Sequence, residues 1–224
     1  MTETKNYYIV SLALIISGVI LVLVTLFSEF LVIAELYLYQ YALASILVIV
    51  GIVVSIAVYI ISFWIWHRIN FIMQQQQCGQ WCWAAAAVSV CAFFNPNQTW
   101  TQCSLVNAEF NRPDCCVVGC SQACNQPWYL SNALQRTGNY VALASGVCTM
   151  NQIKQEIDNN RPLCVRIEWN GGGGHIVAID GYNQSLDMVA VDDPSAGSSD
   201  IDLTIFQTAY QGVGTWTHSY WVGP

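Results

Sequence analysis

Charge is scarce: only 9% of the 224 residues are Asp, Glu, Lys or Arg. The first 66 positions hold just four of them, Glu3, Lys5, Glu29 and Glu35, which excludes an ordinary soluble domain there. Cysteine is missing from the same stretch, since all ten lie from Cys78 onward. Basic residues are few throughout. From Asn70 on, eleven acidic side chains stand against five basic ones, Arg112, Arg136, Lys154, Arg161 and Arg166. That balance excludes nucleic acid as a partner and rules out membrane attachment through a basic surface. No Walker A pattern occurs, so the chain carries no transporter-type ATPase. The hydrophobic content of 54% excludes a disordered chain.

What fills the first third is apolar sequence. Tyr7 to Phe27 runs without a charge, about 31 Å as a helix, which matches a hydrocarbon core of about 30 Å. A second run covers Ala42 to Trp66, with Tyr37, Tyr39, Tyr41, Trp64 and Trp66 where interfacial aromatic belts form. The first run is too long for a signal peptide and a second run follows it. The expected organisation is a membrane anchor over 1–68, with two transmembrane helices at about 7–27 and 42–66, and a globular domain over 69–224. Lys5 and Arg68 flank the hairpin while its loop carries only acids, which points the domain to the cytoplasm. The cysteine density points the other way, to an oxidising compartment. The expectation is an integral, multi-pass membrane protein with an extracytoplasmic domain, the lipid bilayer as one partner and other membrane subunits as further candidates.

In the globular part, Ala84 to Ala87 predict a helix over Trp81 to Phe94 that Asn95-Pro96 ends. A cysteine-rich loop region follows to Pro127, then helical patterns at Trp128 to Thr137 and Asn151 to Asn159. The period then changes. Leu163 to Trp169, His175 to Tyr182, Met188 to Val191 and Gly214 to Val222 read as strands bounded by Gly, Asn and Asp-Pro. Helices first and strands later predict an α+β fold.

Reactive chemistry concentrates at Gln76-Gln77-Cys78-Gly79-Gln80-Trp81-Cys82-Trp83. Cys82 sits where the helix begins, and the positive end of the helix dipole favours a thiolate there. Its backbone N–H is one of the free donors of the first turn, able to meet an oxyanion, and Gln76, six residues earlier, offers a second donor. Four consecutive glutamines leave Gln77 as the alternative register. A thiolate needs a base, and three histidines exist. His67 ends the second apolar run and His218 lies in the terminal strand, whereas His175 follows the run Gly171 to Gly174, which permits close approach of backbone or substrate. The base in turn needs an orienting group, and both Asp192 and Asp193 lie one hairpin further on. Side chains alternate along a strand, so only one of the two can face the site; Pro194 makes Asp193 the fixed strand-end position.

These segments resemble the papain-like cysteine peptidases, closest to bacterial members with Trp-Cys-Trp-Ala-Ala. Gly173-Gly174-His175-Ile176-Val177-Ala178-Ile179-Asp180-Gly181-Tyr182 is similar to the family's histidine strand, and Val191-Asp192-Asp193-Pro194 to its third-residue segment. The bacteriocin-leader peptidases share a related Cys, His, Asp-Pro arrangement. The resemblance spans about Gln74 to the C-terminus and implies a papain-like domain with an N-terminal nucleophile helix and a C-terminal antiparallel sheet. It further implies that Cys82 attacks the scissile carbonyl, His175 pairs with it and protonates the leaving amine, Asp193 orients His175, and Gln76 completes the oxyanion hole. A membrane-anchored thiol peptidase acting on peptides or proteins, without cofactor, is the expected function. The alternatives are a structural or accessory subunit of a membrane complex and an acyl-transfer enzyme.

The remaining cysteines read as disulfides. The spacing of Cys115, Cys116, Cys120 and Cys124 does not match zinc-knuckle pairs, and no metal is expected. Setting aside Cys82, Cys91 and Cys164 leaves seven, an odd number. By analogy with papain-like domains, Cys78 is expected to pair with Cys115 or Cys116.

Overall fold

The computed structural model describes residues 15–24 and 39–224, with the side chains of 39–45 and 61–64 outside that description. The chain divides into two compact units, Met1–Ile60 and Ile61–Pro224. In the first, α1 covers 15–24, and the rest of the first apolar run lies outside the described residues. The second run coincides with α2, Tyr39–Trp64, a helix of 26 residues. Its described side chains span only 46–60, and among the described residues no helix is long and apolar enough to cross a membrane. The expected two-span hairpin is therefore not found among them.

The second unit runs β1 (His67–Arg68), α3 (Cys82–Phe94), α4 (Gln102–Phe110), α5 (Cys115–Val118), α6 (Leu130–Thr137), β2 (Tyr140–Ser145), α7 (Met150–Asp158), β3 (Leu163–Trp169), β4 (Gly174–Asn183), β5 (Met188–Asp193), β6 (Gly197–Asp202), α8 (Leu203–Ala209) and β7 (Gly214–Val222). The strands form one antiparallel sheet in the order β2-β7-β3-β4-β5-β6, and β1 continues the β3 side of β4, with His67 opposite Tyr182. The architecture is α+β. Side chains of β3 and β4 alternate between two cores. Cys164, Ile176 and Ala178 face the core built around α3, while Val165, Ile167, Val177 and Ile179 face the core that holds Ile153 of α7 and Phe206 of α8.

α3 is the central helix. Every residue from Cys82 to Cys91 is buried, which small alanines allow, because a thin helix can lie close to both sheet and neighbouring helices. Its two tryptophans hold the following loop: the Trp81 indole N–H donates to the Cys124 carbonyl (2.8 Å) and that of Trp83 to the Gln126 carbonyl (3.1 Å). The region expected to be loop contains α4, which starts on a Thr101–Ser104 capping box. Buried Gln102 of α4 accepts from the Gln77 backbone N–H (2.9 Å) and donates to the Gln75 carbonyl (2.8 Å). That pair of bonds fixes the register of the four glutamines.

The disulfide expectation is corrected. Cys78 joins Cys120, Cys103 joins Cys116, and Cys115 joins Cys124. The two adjacent cysteines are thus each committed elsewhere. Cys148, counted with the pairing set, is a free thiol, as are Cys82, Cys91 and Cys164. Ligand atoms of Asp114, Cys115 and Cys124 lie within 4.8 Å of one another, but the disulfide leaves no thiolate there to hold a metal.

Candidate active site

Cys82 is the first residue of α3, and no side chain caps that helix start. The first-turn N–H groups consequently have no intrahelical acceptor and face outward with the positive end of the dipole. The chain enters the helix through a turn closed by the Trp81 N–H on the Cys78 carbonyl (3.0 Å) and covalently fixed by Cys78–Cys120. His175 is the second residue of β4. The hairpin before it needs its glycines, since Gly172 and Gly173 adopt φ of 88° and 87°, a region that side-chain-bearing residues avoid. Asp193 ends β5.

These three side chains meet. His175 and Cys82 line one cleft, with Cys82 near enough to favour the imidazolium, and His175 Nε2 lies 2.8 Å from Asp193 Oδ1, which leaves Nδ1 as the nitrogen that can serve the thiol. Burial works against the imidazolium, but the bonds and charges of Asp193 and Cys82 outweigh it and push His175 up to about 9. For Asp193 burial likewise opposes the charge, yet the carboxyl is held below its ordinary value by His175, the Ser195 N–H and Tyr210. Asp192 points to the opposite face, where the Ser198 hydroxyl donates to it. His218 lies against Thr217 (2.9 Å) and His67 stacks on Tyr182 (4.7 Å between centroids), both apart from this cluster.

Gln76 lines the same cleft of about 360 Å³ as Cys82, His175 and Asp193. Its amide nitrogen donates to the carbonyls of Cys78 (3.1 Å) and Gly79 (3.0 Å), while its Oε1 is buried without a hydrogen-bond partner. Its backbone N–H donates to the Pro194 carbonyl (2.8 Å), tying the glutamine segment to the end of β5. Gln77 is exposed.

Residues 65–211 match the family described as papain-like cysteine protease AvrRpt2. The chain belongs to this family. It is a cysteine-type peptidase of papain-like kind, and no curated protein matches it. Burial pushes the other free thiols of this peptidase up, Cys91 and Cys148 above the ordinary value and Cys164 to about 12, so each stays a protonated core residue.

Sequence reasoning missed three neighbours of the site. Trp169 stacks on His175 (5.9 Å between centroids, 22°), and Tyr210 and Gln211 donate to Asp193 Oδ2 at 2.8 and 3.3 Å. No motif marks Tyr210 or Gln211, which lie between α8 and β7. Trp169 carried a signal only as the last alternating residue of β3.

Proposed function

We propose that the protein is a membrane-anchored thiol peptidase that hydrolyses peptide bonds through Cys82, His175 and Asp193. The observation that carries the reading is the convergence of Cys82, His175 and Asp193 on one open cleft, with His175 Nε2 bonded to Asp193. The Cys82 thiolate attacks the scissile carbonyl carbon, the His175 imidazolium gives its Nδ1 proton to the leaving amine, and the C–N bond breaks to leave an acyl thioester. Water, deprotonated by His175, then adds to the thioester and releases the acid and the thiolate. Asp193 keeps the Nε2 proton in place throughout. The oxyanion meets the backbone N–H of Cys82 at the uncapped helix start. Gln76 supplies a second donor once its amide is released from the Cys78 and Gly79 carbonyls.

Membrane anchoring is supported by the 26 residues of α2, which hold no charged side chain and measure about 39 Å. Its side chains from Leu47 to Ile60 are exposed all round, as a lipid-facing helix requires. In this reading the first apolar run, 7–27, is the second span, and 69–224 is the peptidase domain. Three disulfides support an extracytoplasmic location for that domain.

The test is active-site labelling of the detergent-solubilised full chain with a peptidyl epoxysuccinate, mapped by mass spectrometry beside Cys82→Ala. The expected result is an adduct confined to Cys82 that acid-denatured protein does not form. Folded protein with no preferential labelling at Cys82 would sink the reading and leave the accessory-subunit alternative. Product analysis with added amines separates hydrolysis from acyl transfer.

A further inference from the structure

Asp193 is held at both oxygens. Oδ1 receives His175 Nε2 (2.8 Å) and the backbone N–H groups of Ser195 (2.6 Å) and Ala196 (3.0 Å). Bonds to one oxygen leave a carboxylate free to turn about its Cβ–Cγ bond, and such a turn would carry Oδ1 away from His175. The second oxygen therefore decides the orientation. Oδ2 receives the Tyr210 hydroxyl at 2.8 Å, and more weakly the Gln211 amide at 3.3 Å.

Tyr210 is built to hold that hydroxyl still. The residue is 3% exposed, and its ring packs edge-on against Phe206 (5.3 Å, 87°). Its backbone exchanges two hydrogen bonds with Gly214, each 2.8 Å. Its face stacks on Trp169 (6.3 Å, 21°), which in turn stacks on His175. The four side chains close a ring: His175 to Asp193 to Tyr210 by hydrogen bonds, then back through Trp169 by stacking. Burial, and then the charge of Asp193, raise the Tyr210 hydroxyl far above its ordinary value, so it stays a donor at any working pH.

We propose that Tyr210 is a positioning residue of the peptidase, whose hydroxyl locks the Asp193 carboxylate in the orientation that presents Oδ1 to His175. The inference rests on the Cys82–His175–Asp193 reading above. Tyr210 touches no reacting atom and acts through Asp193 alone.

Tyr210→Phe keeps the ring, its stacking on Trp169 and its contact with Phe206, and deletes only the donor. In the full chain, peptide turnover and the rate of Cys82 alkylation by iodoacetamide are measured for wild type, Tyr210→Phe, Asp193→Asn and the double variant. The expected result is a loss of about tenfold in kcat and in alkylation rate with KM unchanged, the scale of a hydrogen bond to a charged group. In the Asp193→Asn background the same substitution changes either rate less than about twofold, the signature of two residues acting as one unit. A rate within about twofold of wild type for Tyr210→Phe, or the full loss repeated in the Asp193→Asn background, overturns the proposal.

Should Tyr210→Phe not fold, fluorotyrosine at position 210 keeps the ring and strengthens the donor; a pH profile of alkylation identical to wild type then overturns it. Wild-type protein that alkylates at Cys82 but cleaves no peptide refutes the peptidase reading, and the alkylation cycle still judges Tyr210. An inert Cys82 in folded wild-type protein sinks both.

Discussion

Asp180 offers a prediction with a magnitude. It is buried on the face of β4 away from His175, in a cavity of about 200 Å³ shared with Arg68, Phe71, Met73 and Asp192. Burial first and the Asp192 charge second push its carboxyl from 3.8 to about 7, against the pull of Arg68. A carboxyl whose folded value is raised binds its proton more tightly in the native state, so folding takes up a proton between the two values. Stability is therefore fully present below pH 4 and is lost as pH rises through 7. Three pH units at about 1.36 kcal/mol each place the loss at about 4 kcal/mol. Asparagine mimics the protonated acid. Asp180→Asn should match wild type near pH 4 and exceed its stability by up to about 4 kcal/mol at pH 8. Urea unfolding of the detergent-solubilised chain, followed by tryptophan fluorescence at a series of pH values, reads this directly. A stability difference that stays flat from pH 4 to 8, or a variant weaker than wild type at pH 8, would refute the argument.

The site gives further expectations. Asp193→Asn should lower kcat/KM by about a hundredfold, whereas Asp192→Asn, whose side chain faces Ser198, should leave it within about twofold; the reverse ranking in a peptide assay would show that the wrong carboxylate was chosen. Because His175 is raised to about 9, its imidazolium is fully present below pH 6.5 and is lost through pH 9. The alkaline limb of kcat/KM should accordingly lie near pH 9 and move down in Asp193→Asn, which a pH–rate profile checks. At Gly214 an added Cβ would come within 2.5 Å of Ile167 and 2.7 Å of the Trp169 ring. Gly214→Ala should cost about 1–3 kcal/mol of stability and reduce activity by displacing Trp169 from His175; a thermal melt and a rate unchanged from wild type would show that the ring has room to move.

Much of this geometry was legible in the sequence because strong local signals agreed with the fold. The alanine run and Asn95-Pro96 bound α3 to within a residue, and the β-branched runs mark β3, β4, β5 and β7. The parity of β5 separates Asp192 from Asp193. What escaped has physical reasons. β2 and β6 are the edge strands of the sheet and are largely exposed, so no buried face imprints an alternating pattern on them. α4 hides in the cysteine-rich segment because its capping partner is Ser104 rather than Glu or Gln, and because only Gln102, Leu105 and Val106 are buried. Disulfide partners follow from the path of the chain in space, which no spacing encodes. Tyr210 reaches Asp193 from 17 residues away, and only the folded sheet brings that loop to the end of β5.

Thiol peptidases are handled with reductant so that the nucleophile stays reduced, and here that treatment meets a second target. All three disulfides lie within 78–124, and one begins four residues before Cys82; the sheet has none. A little reductant rescues an oxidised Cys82, whereas more of it unclips the loop that Trp81 and Trp83 grip. Active enzyme should then pass through a maximum as reductant rises.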